Sequence, residues 1–189
     1  MTYKKMPKIT DDQKQVIYGT ILGGSSILKS IKSKNAYLAM RDNNIDWIRC
    51  KEQEISLLSS ENSYSIGENG YCRWHSVCSP LFNQYYDLFY KNGKKYVGMD
   101  VLNELRDIGL AVWFIDAAKA DDNKITLNTK KYDPEGVKIL NQYFDEIGLP
   151  NEIINNKVQF VDKSALKFIK IVGIHIPNFM IHKLSGFKI

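Results

Sequence analysis

A histidine flanked by two cysteines, Cys72-Arg-Trp-His75-Ser-Val-Cys78, brings soft metal-binding donors close together in this chain. Zinc takes four such ligands in tetrahedral order. Here the spacing fits no common ligand pattern and no fourth donor is evident. In an extended strand, moreover, Cys72 and Cys78 share the face opposite His75. The reading is structural cysteines and no metal. A second set of candidates alternates with apolar neighbours: Arg41, Arg73 and His75 early in the chain, and Lys124, Thr126, Asn128, Lys157 and Gln159 late in it. At a period of two these side chains line one face of a sheet, where they suit phosphates and base edges. A solvated sheet face is polar in the same way, so the pattern alone leaves both readings open.

The elements that must carry these residues are legible. Thr10 followed by Gln13 is a capping box, predicting a helix from Asp11 that stops in Gly23-Gly24-Ser25-Ser26. Gly19 and Gly23 lie four apart on one face of it, where a second helix backbone can approach closely. A strand is expected over Ala36–Arg41, a helix over Asp46–Leu58, and a hairpin of Ser63–Ile66 and Tyr71–Cys78 turning through Gly67–Gly70. Pro80 opens an aromatic helix, the basic stretch from Lys91 to Lys95 reads as a link, and a short helix follows at Asp100–Arg106. The order then recurs. An apolar helix over Leu110–Ala118 precedes a strand at Lys124–Asn128, a helix from Pro134 to Ile147, and a strand pair at Glu152–Ile154 and Lys157–Val161. A helix from Ser164 to Val172 completes it. The offset of about 93 residues, Gly24 to Ala117, is too long for a solenoid of roughly 20–50-residue repeats. It implies a pseudo-twofold α+β protein whose halves, residues 1–99 and 100–189, pack through their first helices. Trp113 and Phe114 are expected in that packing, and Trp47 and Trp74 in the core.

Composition bounds the function. The chain has 189 residues, is 44% hydrophobic, and carries a net charge of +5. Residues 1–95 hold 14 Lys/Arg against 9 Asp/Glu, whereas residues 96–189 hold 12 of each. This balance permits a polyanionic partner without demanding one. No apolar run approaches the roughly 18 residues of a membrane span, so a soluble protein without a membrane partner is expected. The three cysteines, Cys50, Cys72 and Cys78, are an odd number and no signal peptide precedes them, pointing to free thiols in a reducing compartment.

Five segments in order carry a family resemblance. The two apolar helices contain Ile17-Tyr-Gly-Thr-Ile-Leu-Gly-Gly-Ser-Ser-Ile27 and Leu110-Ala-Val-Trp-Phe-Ile-Asp-Ala-Ala-Lys119, the latter followed by Ile125-Thr-Leu-Asn-Thr129. Between them lies Leu81–Tyr90 with Lys94-Lys95, and near the end Asn178-Phe-Met-Ile-His-Lys-Leu184. From Val16 to Leu184 the chain resembles the single-chain LAGLIDADG homing endonucleases. The resemblance implies two αββαββα halves forming a saddle of antiparallel strands that grips nucleic acid. Its two motif helices meet at the centre, with an acidic residue at each foot to hold Mg²⁺ beside a scissile phosphate.

The sequence departs from that pattern at those positions. Gly24 stands where the first acidic residue belongs and Ala117 where the second belongs, and Ala118 replaces the following glycine. Asp116 lies one residue early. On a helix that turns it about 100° away, toward the core or the partner helix, and Asp121 and Asp122 read as solvated loop charges. No catalytic residue and no cofactor is expected, Mg²⁺ entering only if cleavage is retained. Lys94 or Lys95 in the first half and Lys183 in the second match family lysines near the phosphates, which makes Lys94, Lys95 and Lys183 residual basic candidates. The leading expectation is a nucleic-acid-binding protein, on RNA or double-stranded DNA, that has lost cleavage. It fits an intron maturase or an organellar ribosome component within a ribonucleoprotein. The alternatives are an active intron-encoded endonuclease and a protein-binding scaffold. With both halves in one chain no obligate homodimer is expected. The richness in Lys, Asn and Ile suggests an AT-rich genome: a mitochondrial or other organellar matrix, or else a bacterial or phage-infected cytoplasm.

Overall fold

The threonine cap forms as its spacing predicts. Thr10 Oγ1 accepts from the Gln13 amide at 3.2 Å while Gln13 Oε1 accepts from the Thr10 amide at 2.9 Å. In this computed structural model residues 8–187 are described, apart from 32, 61–62 and 68–69. Helix α1 (Asp11–Gly23) leads directly into strand β1 (Ser26–Lys29). After it come β2 (Ala36–Asp42), α2 (Ile45–Glu54), β3 (Tyr64–Ile66), β4 (Cys72–His75) and α3 (Pro80–Phe89). A small hairpin, β5 (Tyr90–Lys91) and β6 (Lys94–Lys95), and a short α4 (Met99–Leu102) connect to the second half. That half runs α5 (Asp107–Ala117), β7 (Ala118–Asp121), β8 (Lys124–Leu127), α6 (Pro134–Glu146), β9 (Glu152–Ile154), β10 (Lys157–Val161) and α7 (Asp162–Val172). Tight 3-10 turns at Gly173–His175 and Asn178–Leu184 follow.

The duplication is a structural fact. The two large sheets have the same antiparallel strand order, β1-β2-β4-β3 and β7-β8-β10-β9, and each is preceded by one of the two central helices. Two strands of the large sheets escape the sequence reading: β1 and β7 begin within three residues of a helix end. Ala117 closes α5 and Ala118 opens β7 with no loop between them, so no turn residue signals the change. The stretch from Lys91 to Lys95 is a hairpin with Asn92 and Gly93 at positive φ, not a link. The second half's strand pair turns at Asn155 and Asn156, both adopting positive φ. The first half's turn includes residues 68 and 69, outside the described set.

The halves meet along α1 and α5, where side chains are missing by design of the sequence. A Cβ added at Gly19 would lie 2.4 Å from the Gly109 carbonyl oxygen, and one at Gly23 2.4 Å from Asp116 Cβ. Both glycines of the predicted face therefore serve the close approach. Buried Gln15 ties the same seam: its Nε2 donates to the Glu104 carbonyl at 2.8 Å, and its Oε1 accepts from the Arg106 amide at 2.7 Å. Trp113 and Phe114 correct an expectation. They point away from the seam into the second half's own core, against Phe144 at 5.7 Å and Phe168 at 5.9 Å. The seam uses Gly109, Val112 and Asp116, spaced three and four apart, and 113 and 114 fall on the other side of the helix. Trp47 and Trp74 are core residues, as expected. Among the described residues no helix is long and apolar enough to cross a membrane.

Candidate nucleic-acid interface

Strand pairing decides which predicted residues meet. In the second sheet Gln159 faces Thr126 across β10 and β8, and Lys119 of β7 faces Thr126 from the other side. Ile125, Leu127, Val158 and Phe160 point inward and are buried. All five residues expected from the sequence, Lys124, Thr126, Asn128, Lys157 and Gln159, line one polar groove of about 450 Å³. Lys119, Lys130 and Asp121 join them, and the groove begins at Asp116 and Ala117, at the foot of α5. Four lysines in it stand against two carboxylates, of which Asp121 is paired with Lys119 at 3.0 Å. Lys119 has the signal of strand alternation between two alanines and is missed only because β7 is.

The first sheet also collects its candidates. Arg41 lies directly opposite Arg73, and Ala39 opposite His75, on the outward face of β2 and β4. Cys72 points inward and is buried, away from exposed His75, so the two do not share a site. Among the described residues no group of three or more His, Cys, Asp or Glu side chains is placed to hold a metal ion.

The foot of α1 is built from ammonium groups and backbone carbonyls. Gly24 ends α1 at φ 144°, a conformation side chains rarely adopt. Lys95 Nζ donates to the Ile21 carbonyl at 2.7 Å and the Ser25 carbonyl at 2.6 Å, while Lys131 Nζ, from the other half, donates to the Leu22 carbonyl. A Cβ at Gly24 would stand 4.0 Å from that Lys131 nitrogen. These two cations satisfy the otherwise unpaired carbonyls at the negative end of the helix. At the other foot Ala117 and Ala118 carry no side-chain ligand atom. Asp116 turns away, its two oxygens 2.8 and 2.9 Å from Lys51 Nζ and one of them also accepting from Trp47 Nε1. Hard divalent cations need several free oxygen ligands; this set of residues does not fit one.

Of the three residual lysines, only Lys95 reaches a foot, and it spends two protons on carbonyls. Lys94 is exposed on the β5–β6 hairpin, and no hydrogen bond or ion pair ties Lys183 to the foot of α5 among the described residues. Lys131 is the residue the sequence does not reveal, because its partner Leu22 lies 109 positions away.

Burial pulls Lys95 down to about 8, and burial together with the Lys95 charge pulls Lys131 down to about 7, with Asp116 opposing both falls. Between about pH 7 and the ordinary lysine value near 10.4, these two lysines thus hold fewer protons in the folded protein than in the unfolded chain. Their contribution to stability rises with pH through that window and falls as pH drops to 7; above about pH 9 the cysteines and tyrosines whose values burial raises oppose it. The urea midpoint is expected to be higher at pH 9 than at pH 6.5, and Lys131→Met is expected to flatten that rise.

Comparison with known proteins agrees with this architecture. The solved homing endonuclease I-WcaI, bound to its DNA recognition sequence, is similar with a TM-score of 0.79 at 21% identity, over 94% of this chain and 88% of that one. I-DmoI in complex with DNA and Mn gives 0.58 at 10% identity, over 88% and 99%. Full-length DUF199/WhiA from Thermatoga maritima gives 0.57 at 11% identity, over 98% of this chain and 64% of that one. Among curated proteins, none matches by sequence. A profile described as the LAGLIDADG DNA endonuclease family matches residues 14–167. With that match over most of its length, two sheets of identical topology and two glycine-faced helices at its centre, the chain belongs to the LAGLIDADG DNA endonuclease family.

Proposed function

We propose that this protein grips nucleic acid through the outward faces of its two sheets and does not cut it. The observation that carries this reading is the pair of helix feet. One presents Gly24 beside two lysines, and the other presents Ala117 and Ala118 with the nearby Asp116 already committed to Lys51. The grip depends on different residues from the cut, so it survives the loss of the carboxylates. The four-lysine groove supports a phosphate backbone as its occupant. The DNA-bound relatives named above support the same class of partner.

Within that reading we place the protein on RNA, as a maturase or a component of an organellar ribosome. What favours RNA over a duplex DNA target is the aromatic character of the first sheet, developed below. An active endonuclease would need a second carboxylate that neither foot supplies.

The test is binding and cleavage on the same preparation. Purified protein is titrated into labelled RNA and duplex DNA from 50 to 300 mM salt, then incubated with Mg²⁺ or Mn²⁺. Binding is expected to weaken steeply with salt, without strand scission. Lys124→Ala with Lys157→Ala is expected to reduce the slope of log K against log salt by about 1.8, at roughly 0.9 per phosphate contact on duplex. Metal-dependent scission would overturn the loss of cleavage. Binding indifferent to salt would instead favour a protein-binding scaffold.

A further inference from the structure

The two sheets present chemically different faces. On the second, the outward positions Lys119, Lys124, Thr126, Asn128, Lys157 and Gln159 are hydrogen-bonding side chains; Ile154, opposite Lys157 on the edge strand, adds an exposed aliphatic group, but no aromatic ring is among them. On the first, the central strands β2 and β4 present Tyr37, Arg41, Arg73 and His75, with Leu28 of β1 opposite Tyr37 and 42% exposed. The Tyr37 and His75 rings stand edge to face, 6.1 Å apart at 76°. The Arg41 guanidinium lies 4.3 Å over the ring of Tyr71, which is 38% exposed just before β4.

Two features of this face ask for a ligand. Half-buried Tyr37 and exposed His75 on the central strands, with Leu28 on the edge strand, leave apolar area in water. Arg41 and Arg73 are directly opposed, a like-charge pair that is unfavourable on a sheet. Neither arginine has an ion-pair partner among the described residues. A phosphate between the two arginines relieves their repulsion, and a base laid on either the Tyr37 or the His75 ring covers apolar area. Bases in a duplex are stacked on one another and do not offer their flat faces; unpaired ones do.

We infer that the outward face of β2 and β4 is a stacking platform for unpaired nucleotides, with Tyr37 and His75 taking base faces and Arg41 and Arg73 sharing a backbone phosphate. This deepens the nucleic-acid reading above and rests on it. The protein then holds a junction, with the paired part over the lysine groove and the unpaired part on the aromatic sheet.

The experiment compares four probes: a blunt RNA duplex, the same duplex with a five-nucleotide overhang, and the DNA versions of both, each overhang carrying 2-aminopurine. The wild-type protein is expected to bind overhang probes about tenfold more tightly than blunt ones, and to change the 2-aminopurine emission, since a stacked base contributes about that factor or more. Tyr37→Leu with His75→Ala is expected to remove the preference while leaving blunt-duplex binding within twofold. The Leu replacement keeps apolar bulk, and an unchanged circular dichroism melt verifies folding. Arg41→Gln is expected to weaken overhang probes several-fold and to lower their salt slope. The RNA and DNA arms distinguish the source of the unpaired strand. Equal binding of blunt and overhang probes, or a preference untouched by the double variant, would sink the platform and leave the grip intact. Failure of all four probes to bind at 50 mM salt would sink the nucleic-acid reading itself.

Discussion

Asp116→Ala is expected to destabilise the protein by about 3–5 kcal/mol, the cost of leaving a buried charge without its partner. Lys51 is 3% exposed and the Asp116 carboxylate 7%. Removing the carboxylate strands the Lys51 ammonium in the seam between the halves and takes the acceptor from the Trp47 indole N–H as well. A urea titration reads this directly as a lower midpoint at unchanged slope. Because the penalty comes from the orphaned partner, Lys51→Met combined with Asp116→Leu is expected to recover most of the loss. The measurement also bears on function. If Asp116 served a divalent cation instead, its alanine variant would keep the midpoint within about 0.5 kcal/mol and lose a metal-dependent activity.

The second large effect lies one and two turns up the same seam. Gly19→Ala places a methyl group 2.4 Å from the Gly109 carbonyl oxygen and 2.7 Å from Val112 Cβ. Neither obstacle is the free end of a flexible side chain, so the two helices must separate. Overpacking of this kind costs about 1–3 kcal/mol, set against a gain of up to about 1 kcal/mol from replacing a helical glycine with alanine. A net loss is therefore expected, and Gly19→Val, which adds more volume with less of that gain, should lose more. Gly173→Ala is the control: a Cβ there meets nothing within 4 Å, so its urea midpoint should stay unchanged or rise. Equal behaviour of the Gly19 and Gly173 variants would refute a backbone-to-backbone seam. Since α1 and α5 lead directly into the first strand of each sheet, forcing them apart should also weaken binding to probes that span both faces.

Local rules were enough for most of the elements. The Thr10–Gln13 cap, the Pro80 and Pro134 helix starts, the Asn155-Asn156 turn and the period-two alternation of β4, β8 and β10 each depend on residues close in sequence. The same alternation told which side chains of β8 and β10 share a face, and the duplication at an offset of 93 told that two similar halves exist. The absence of acidic side chains at positions 24 and 117 is likewise a property of the sequence alone.

Tertiary structure decided everything that depends on partners far along the chain. Gly19 and Gly23 showed that a backbone could come close, but only packing named Gly109 and Asp116 as what comes. Trp113 and Phe114 look like seam residues by their motif, yet helix rotation sends them to Phe144 and Phe168. Lys131 reaches across 109 residues to the end of α1, and the opposed arginines arise from the β2–β4 register, between strands separated by a helix and another strand. Capping, turns and alternation are written in neighbouring residues because their energies come from neighbouring atoms. Charge pairing, helix rotation and the composition of a sheet face come from burial and register, which exist only once distant segments have met.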